Sequence, residues 1–425
     1  MRSSLRTGAC GLAVLLLPCI GSAAESASAV EQPQCSAPVS RSNVIACTLA
    51  ISPALREELS SQRAGEGRRE AARPILPSNP VLSGGLASRA SPTDQKLNWN
   101  LGLAQELEVG GQRGLRIDFA DGELRVQAQR IAATKATIAA DAWLAYFRSI
   151  AARERLKLTE KLETATEGVA ATVRGMAAAG VASEVDADVA EAAAIRAAQD
   201  RLKAEELVAV GRAQFRLLVG GHLDLNAVGD LEPLKSVAAV TAEGRDRPEL
   251  LAARAAQGAL ARRVELLRRS RVPNPTVSLF AQSDGFDERV LGVGLSIPIP
   301  LPQPLGRTQA GEISEGAALA DRADAEAERI RSQLQAELAV ALAEYDASLK
   351  TRILYTQERV QRATARLESI ALQIKAARLP VRDALVAQQA LVEQLKAEID
   401  AREALCVASV RLTRAAGLSL EGDSL

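Results

Sequence analysis

The chain has 425 residues, with 52 Lys and Arg balanced by 52 Asp and Glu, so its formal net charge is zero and no basic field marks it for nucleic acid. Aromatic residues are only 2% of the chain, and Ala, Arg, Glu and Leu dominate long stretches, a composition of extended helices more than of a globular enzyme core. A single histidine, His222, and one methionine beyond Met1, Met176, leave no basis for a His-based metal cluster or a thioether relay for soft metals.

Residues 1–24 carry Arg2 and Arg6, an apolar stretch from Ala9 to Ile20, and Ser22-Ala23-Ala24. That order reads as a secretory signal peptide. Cys19 follows Leu16-Leu17-Pro18, and the proline argues against lipid attachment at that cysteine without closing the question. No later stretch has 18 or more consecutive apolar residues, so no hydrophobic helix is expected to cross a membrane. Residues 25–51 read as a poorly ordered extension. Cys35 and Cys47 within it could form a local disulfide, as exported proteins allow, or remain two thiols. Cys406 lies in a strongly helical stretch, where a small buried residue needs no chemistry.

From there the chain repeats itself. Pro53 returns as Pro248, Asn79-Pro80 as Asn274-Pro275, and Gly111 as Gly306, each 195 residues on; Asp186 returns as Asp383, 197 on. A period this long indicates one structural unit used twice, not a solenoid of short repeats. The units are expected at 52–225 and 247–418, with a linker at 226–246 and a tail at 419–425.

Each unit shows the same succession. A helix starts at Ser52-Pro53 and again at Pro248, with proline at the first helical position, and stops near Ala72 and Arg271. Segments of period 2 follow, at about 81–108 and 276–298. Leu97, Trp99, Leu101 and Leu103 alternate with polar or small residues, as do Leu291, Val293, Leu295 and Ile297. One strand hairpin per unit gives four strands, too few to close a barrel alone. Apolar residues facing out around a wet lumen would suit a membrane barrel built from several chains; the same pattern suits a small soluble sandwich. Aromatic residues for the lipid interfaces are few, with Trp99, Phe280 and Phe286 the candidates.

Next come proline-free helical stretches, about Gly114 to Ala179 and Thr308 to Arg378. Some 60 helical residues reach about 90 Å. Return helices run from Val185 to Leu218 and from Val381 to Ala416, so each unit ends in a long helical hairpin. At the bends an Asp stands six residues after a small residue: Asp186 after Gly180, and Asp383 after Ala377. There a carboxylate meets the free N–H groups and the positive end of the helix dipole, and capping is the plain role for it. Trp143 and Phe147, four apart, read as a helix-packing pair. Gly110-Gly111-Gln112-Arg113-Gly114 and Gly292-Val293-Gly294 lack the context of phosphate loops and read as close backbone packing.

The succession of helix, strand hairpin and long helical hairpin, twice over and after a signal peptide, resembles the TolC-like outer-membrane factor family. The pieces Glu108-Val109-Gly110-Gly111-Gln112-Arg113, Arg247-Pro248-Glu249, Pro273-Asn274-Pro275, Gly294-Leu295-Ser296-Ile297-Pro298 and Arg307-Thr308-Gln309-Ala310-Gly311-Glu312-Ile313, with Asn79-Pro80, are similar to its heavy-metal-efflux, CzcC-like branch. The resemblance covers about residues 48–418.

It implies a mostly α protein with a membrane β-barrel: a homotrimer whose 12-stranded barrel in the bacterial outer membrane continues as a periplasmic helical tunnel. Its partners would be a periplasmic adaptor and an inner-membrane pump of the RND type. The duct would pass metal cations or small organic compounds and would hold no cofactor and catalyse nothing. The bends would be the periplasmic tips, with Gly180, Val181, Leu379 and Pro380 as adaptor contacts. Asp186, Asp188 and Asp383 are the candidates for an acidic ring at the entrance, of the kind that selects cations in pores, and Arg382 for an ion-pair partner. Ala377 and Pro380 depart from the family's bend. Two other functions share parts of this pattern: a duct for type I polypeptide secretion, and a pore-less periplasmic coiled-coil spacer.

Overall fold

The computed structural model describes residues 38–90, 95–218, 227–240, 245–283, 288–301, 304–306, 308–376 and 378–420. A short helix, α1 (Val44–Ile51), leads into α2 (Pro53–Ala72). Strands β1 (Val81–Ala90) and β2 (Gln95–Glu106) follow, then α3 (Gln112–Ala178) and α4 (Glu184–Leu218). The second unit runs α5 (Pro248–Arg269), β3 (Thr276–Ser283), β4 (Arg289–Ser296), α6 (Ala310–Leu354), α7 (Gln357–Lys375) and α8 (Val381–Ala415). Pro53 and Pro248 both stand at the start of their helices, where a missing N–H leaves nothing unpaired.

α3 is the spine. Its 67 residues make a rod of about 100 Å, and α1, α2, α4, α5, α7 and α8 all pack against it. The four strands form one antiparallel sheet in the order β1-β2-β3-β4. Register places Leu82, Leu86, Leu97, Trp99, Leu101, Leu103, Val277, Leu279, Leu291, Val293 and Leu295 on one face, because directly paired residues share a side. Most of these side chains are exposed. The other face carries Ser83, Asn98, Asn100, Gly102, Ser278, Gln282, Gly292 and Gly294. Phe280, expected with Trp99 on the apolar face, lies on this second one, since Leu279 fixes the phase of β3 through its pairing with Leu103 and Val293. Phe286 lies outside the described residues.

Where sheet meets helices, buried Gln112 is a hydrogen-bonding joint. Its Nε2 donates to Asn274 Oδ1 at 3.0 Å and its Oε1 accepts from the Gly110 N–H at 2.9 Å. Asn274 Nδ2 in turn donates to Glu106 Oε1 at 2.8 Å. The Asn274-Pro275 landmark thereby ties β3 to the end of β2 and the start of α3.

Midway along α3, Trp143, Tyr146 and Phe147 form the largest core. Trp143 stacks on Phe147 with centroids 5.4 Å apart and meets Tyr146 edge-on at 5.6 Å. The Trp143 indole donates to the Leu420 carbonyl at 3.2 Å, and the Tyr146 hydroxyl to the Val228 carbonyl at 3.0 Å. Arg41 sits 5.5 Å over the Trp143 ring and donates to the carbonyls of Glu232 and Pro233.

This belt changes the expected boundaries. The stretch 25–51, read as poorly ordered, contains α1, with Val44, Ile45, Cys47 and Thr48 buried, Val44 and Ile45 within the belt, where its apolar residues have an aromatic core to cover. In the expected linker, Ala227, Leu231 and Leu234 are buried in the same core, and Leu420 of the expected tail is buried too. His222 lies outside the described residues. The helix expected to run unbroken from Thr308 to Arg378 is interrupted at Tyr355-Thr356. Thr356 caps a new start by accepting the Arg359 N–H, while Arg352 and Arg359 donate to the carbonyls of Tyr355 and Leu354 that the break releases.

Trp143→Ala should cost about 3–5 kcal/mol of stability, since a large ring leaves a cavity that a rigid belt cannot close. Thermal unfolding of the purified protein measures it; an unchanged melting temperature would mean the belt is not the core.

Candidate functional site

The two bends are built alike. α3 ends in a Schellman motif: Gly180 takes a positive φ of 71° that suits glycine, its N–H donates to the Ala177 carbonyl at 2.9 Å, and the Val181 N–H reaches the Met176 carbonyl at 2.8 Å. α7 ends with the corresponding bond from the Arg378 N–H to the Gln373 carbonyl at 3.0 Å. Ala377, between them in sequence, lies outside the described residues.

Both bends pack into one core. Val169, Ala170 and Val173 of α3 meet Ala190 of α4, Ile370 and Ile374 of α7, and Ala384 of α8, with Ala182, Leu379 and Val381 laid against them. The tips therefore stand side by side as one apolar-cored end. Of the expected contact residues, Leu379 is partly buried in this core, while Gly180, Val181 and Pro380 are exposed. Val181, Val185 and Val189 are all exposed along the start of α4.

Asp186 and Asp383 hold the same place, third residue of α4 and of α8, in the first turn where the helix dipole favours a carboxylate. Asp186 is half-buried; Asp188, Arg382 and Asp383 are exposed. Among the described residues none of these four makes an ion pair within the chain, so Arg382 does not close the tip inside one protomer. The cap is a residue the sequence reading passed over: Ser183 Oγ accepts the Asp186 N–H at 3.1 Å. The Ser-x-x-acid spacing of Ser183 and Asp186 was the signal for it. α8 has Pro380 in that place and no side-chain cap.

Behind the tips a groove of about 320 Å³ runs between α4 and α8 over α3, lined by Val189, Ala193 and Arg196, by Arg382, Leu385 and Val386, and by Leu162. Gln388 is buried in its floor. Its Nε2 donates to Thr166 Oγ1 at 2.7 Å, and its Oε1 has no partner. Lys396 and Asp200, bridged at 2.6 Å, also line the groove. No local sequence pattern marks Gln388 or Thr166, since their pairing joins residues far apart in the chain.

Cys47 is disulfide-bonded, and Cys35 lies outside the described residues. Cys406 is a free thiol inside the belt, and burial pushes its pKa up to about 12, which keeps it protonated and unreactive. Among the described residues no group of three or more His, Cys, Asp or Glu could hold a metal ion, and no helix is long and apolar enough to cross a membrane.

Residues 44–221 match the family model described as outer membrane efflux protein. No curated protein matches the chain in sequence. The fold is that of solved outer-membrane channels. The chain resembles the outer membrane protein VceC of Vibrio cholerae, with a TM-score of 0.73 at 18% identity over 89% of this chain and 96% of that one. It is similar in the same way to the MtrE outer membrane channel of Neisseria gonorrhoeae, with a TM-score of 0.71 at 17% identity over 91% and 90%. CusC, described in terms of folding and transmembrane channel formation, gives 0.72 at 15% identity over 89% and 92%. By sequence the likeness to the efflux family lies in the first unit; by fold it extends over both.

Ser183→Ala removes the cap of α4 and should cost about 1 kcal/mol. Faster amide exchange confined to the first turn of α4 would show it, and unchanged exchange there would remove Ser183 from the role.

Proposed function

We propose that the chain is the outer-membrane exit duct of a tripartite efflux system. One observation carries this reading: an open sheet presents a broad apolar face that none of the described residues of its own chain covers, and a polar, glycine-rich face behind it. From Leu97 to Leu103 the apolar face measures about 20 Å along the strand, of the order of the roughly 25 Å apolar band around an outer-membrane barrel. Three copies, each giving four strands, close a barrel of 12, with the edges of β1 and β4 paired between neighbours. The helices continue it as a periplasmic tunnel of about 100 Å.

The tips form the periplasmic entrance and meet the adaptor, which links the duct to an inner-membrane pump of the RND type. Gly180, Val181, Leu379 and Pro380 supply that contact. Threefold symmetry turns Asp186 and Asp383 into two rings of three carboxylates, which draw cations to the mouth; Asp188 and Arg382 flank them. The duct is passive and catalyses nothing. The cargo is metal cations or small organic compounds.

Two measurements test the reading. Extraction of the membranes should require detergent and yield a heat-resistant trimer; a mature chain soluble without detergent and never trimeric would overturn it. In planar bilayers the trimer should prefer cations, and Asp186→Asn with Asp383→Asn should lower that preference several-fold; an unchanged preference would reject the acidic mouth.

A further inference from the structure

The sheet's polar face holds one aromatic residue among those described, Phe280. Leu279 and Ala281 on either side of it point to the apolar face, so Phe280 is held in the opposite phase by the register of β3 with both neighbours. Directly across from it on β2 stands Gly102, and on β4 Gly292. The far edge of the ring lies over Gly292: a Cβ there would fall 2.3 Å from Cζ and 2.7 and 2.9 Å from the two Cε atoms. Any side chain at 292 would therefore force the ring off the sheet. The ring is seated in a gap that glycine provides, yet Phe280 stays 37% exposed. Ser278 and Gln282 flank it along β3 on this face, and its diagonal neighbours across the strands are Asn100, Ala104, Val290 and Gly294, none of them charged.

We propose that Phe280 forms an aromatic wall site in the lumen of the barrel, one per protomer, that takes organic cations bearing an aromatic ring. This rests on the duct reading, which turns the polar face toward the lumen. A ring face attracts an organic cation through its quadrupole and stacks with a flat solute. It offers no lone pair to a hydrated metal ion, which prefers oxygen, nitrogen or thiolate ligands. Phe280 therefore biases passage within the duct toward aromatic organic cations and leaves hydrated metal ions unretained. Gly292 is the positioning residue that holds the ring against the wall.

The test is block of potassium current through the purified trimer in planar bilayers by benzyltrimethylammonium, against tetramethylammonium as the cation without a ring. Wild type should bind the benzyl cation more tightly. Phe280→Ala and Phe280→Leu should weaken that block about two- to fivefold and weaken tetramethylammonium block less, since that cation has the charge but no ring to stack, while Phe280→Tyr should retain both. The leucine variant keeps an apolar side chain in the gap, so a folding defect in the alanine variant does not hide the answer. Equal block by the two cations in wild type, or block indifferent to both substitutions, would overturn the wall site alone. A wild-type protein that forms no pore would overturn the duct reading and this site with it.

Discussion

An apolar sheet face of this size cannot stay in water. Each exposed leucine or valine forfeits about 1.5–3 kcal/mol that burial would return, and the outer edges of β1 and β4 offer unpaired backbone groups besides. A soluble sandwich would answer by laying a second layer over the face. In this chain the described helices pack along α3 or along one another instead, and most of the apolar residues of the sheet remain exposed. In the proposed trimer, lipid outside and neighbouring copies at the edges satisfy both demands at once. In that assembly the polar face is left for a water-filled lumen, where its glycines, serines and asparagines need no cover.

The rest of the molecule holds that sheet at a fixed distance from the tips. Gln112, Asn274 and Glu106 lock the strands to the start of α3. The unbroken length of α3 then carries the connection to Gly180. Halfway, the ring cluster of Trp143, Tyr146 and Phe147 gathers α1, the segment between the two units, and α8 around one point. The two units are thus one body at its middle and differ toward the tips. The first has a continuous helix, a glycine bend and a serine cap; the second has a break at Tyr355-Thr356 and a proline where the serine stood. The repeat offset changes from 195 to 197 in the interval that contains the break.

Much of the helical plan was legible because its signals are local. Proline at the first helical position marks α2 and α5, and the lack of proline marks the long helices. The alternation of Leu97 to Leu103 announces β2 and its apolar face for the same reason. Features set by distant partners were not legible. Leu279 and Phe280 are adjacent apolar residues, and only pairing with β2 and β4 decides which lies on the apolar face. The break at Tyr355-Thr356 escaped for another reason: its partners, Arg352 and Arg359, are local, but Thr and Arg also occur inside helices and do not mark a break by type. The burial of α1 depends on an aromatic core about a hundred residues away, and the Gln388–Thr166 pair joins positions 222 apart. The acidic residues of the bends were visible, but Ser183 holds the capping role first assigned to Asp186.

The orientation of the sheet is the central claim, and single cysteines along β2 test it most directly. Cys406 is buried and protonated and Cys47 is bonded, so both stay silent toward a thiol reagent. In intact outer membranes, cysteines at 98, 100 and 102 should react with a small water-soluble maleimide. Those at 97, 99, 101 and 103 should resist it, and a fluorophore attached there in detergent should be quenched by brominated lipid after reconstitution. Uniform labelling along the strand, or quenching at the even positions, would contradict the account.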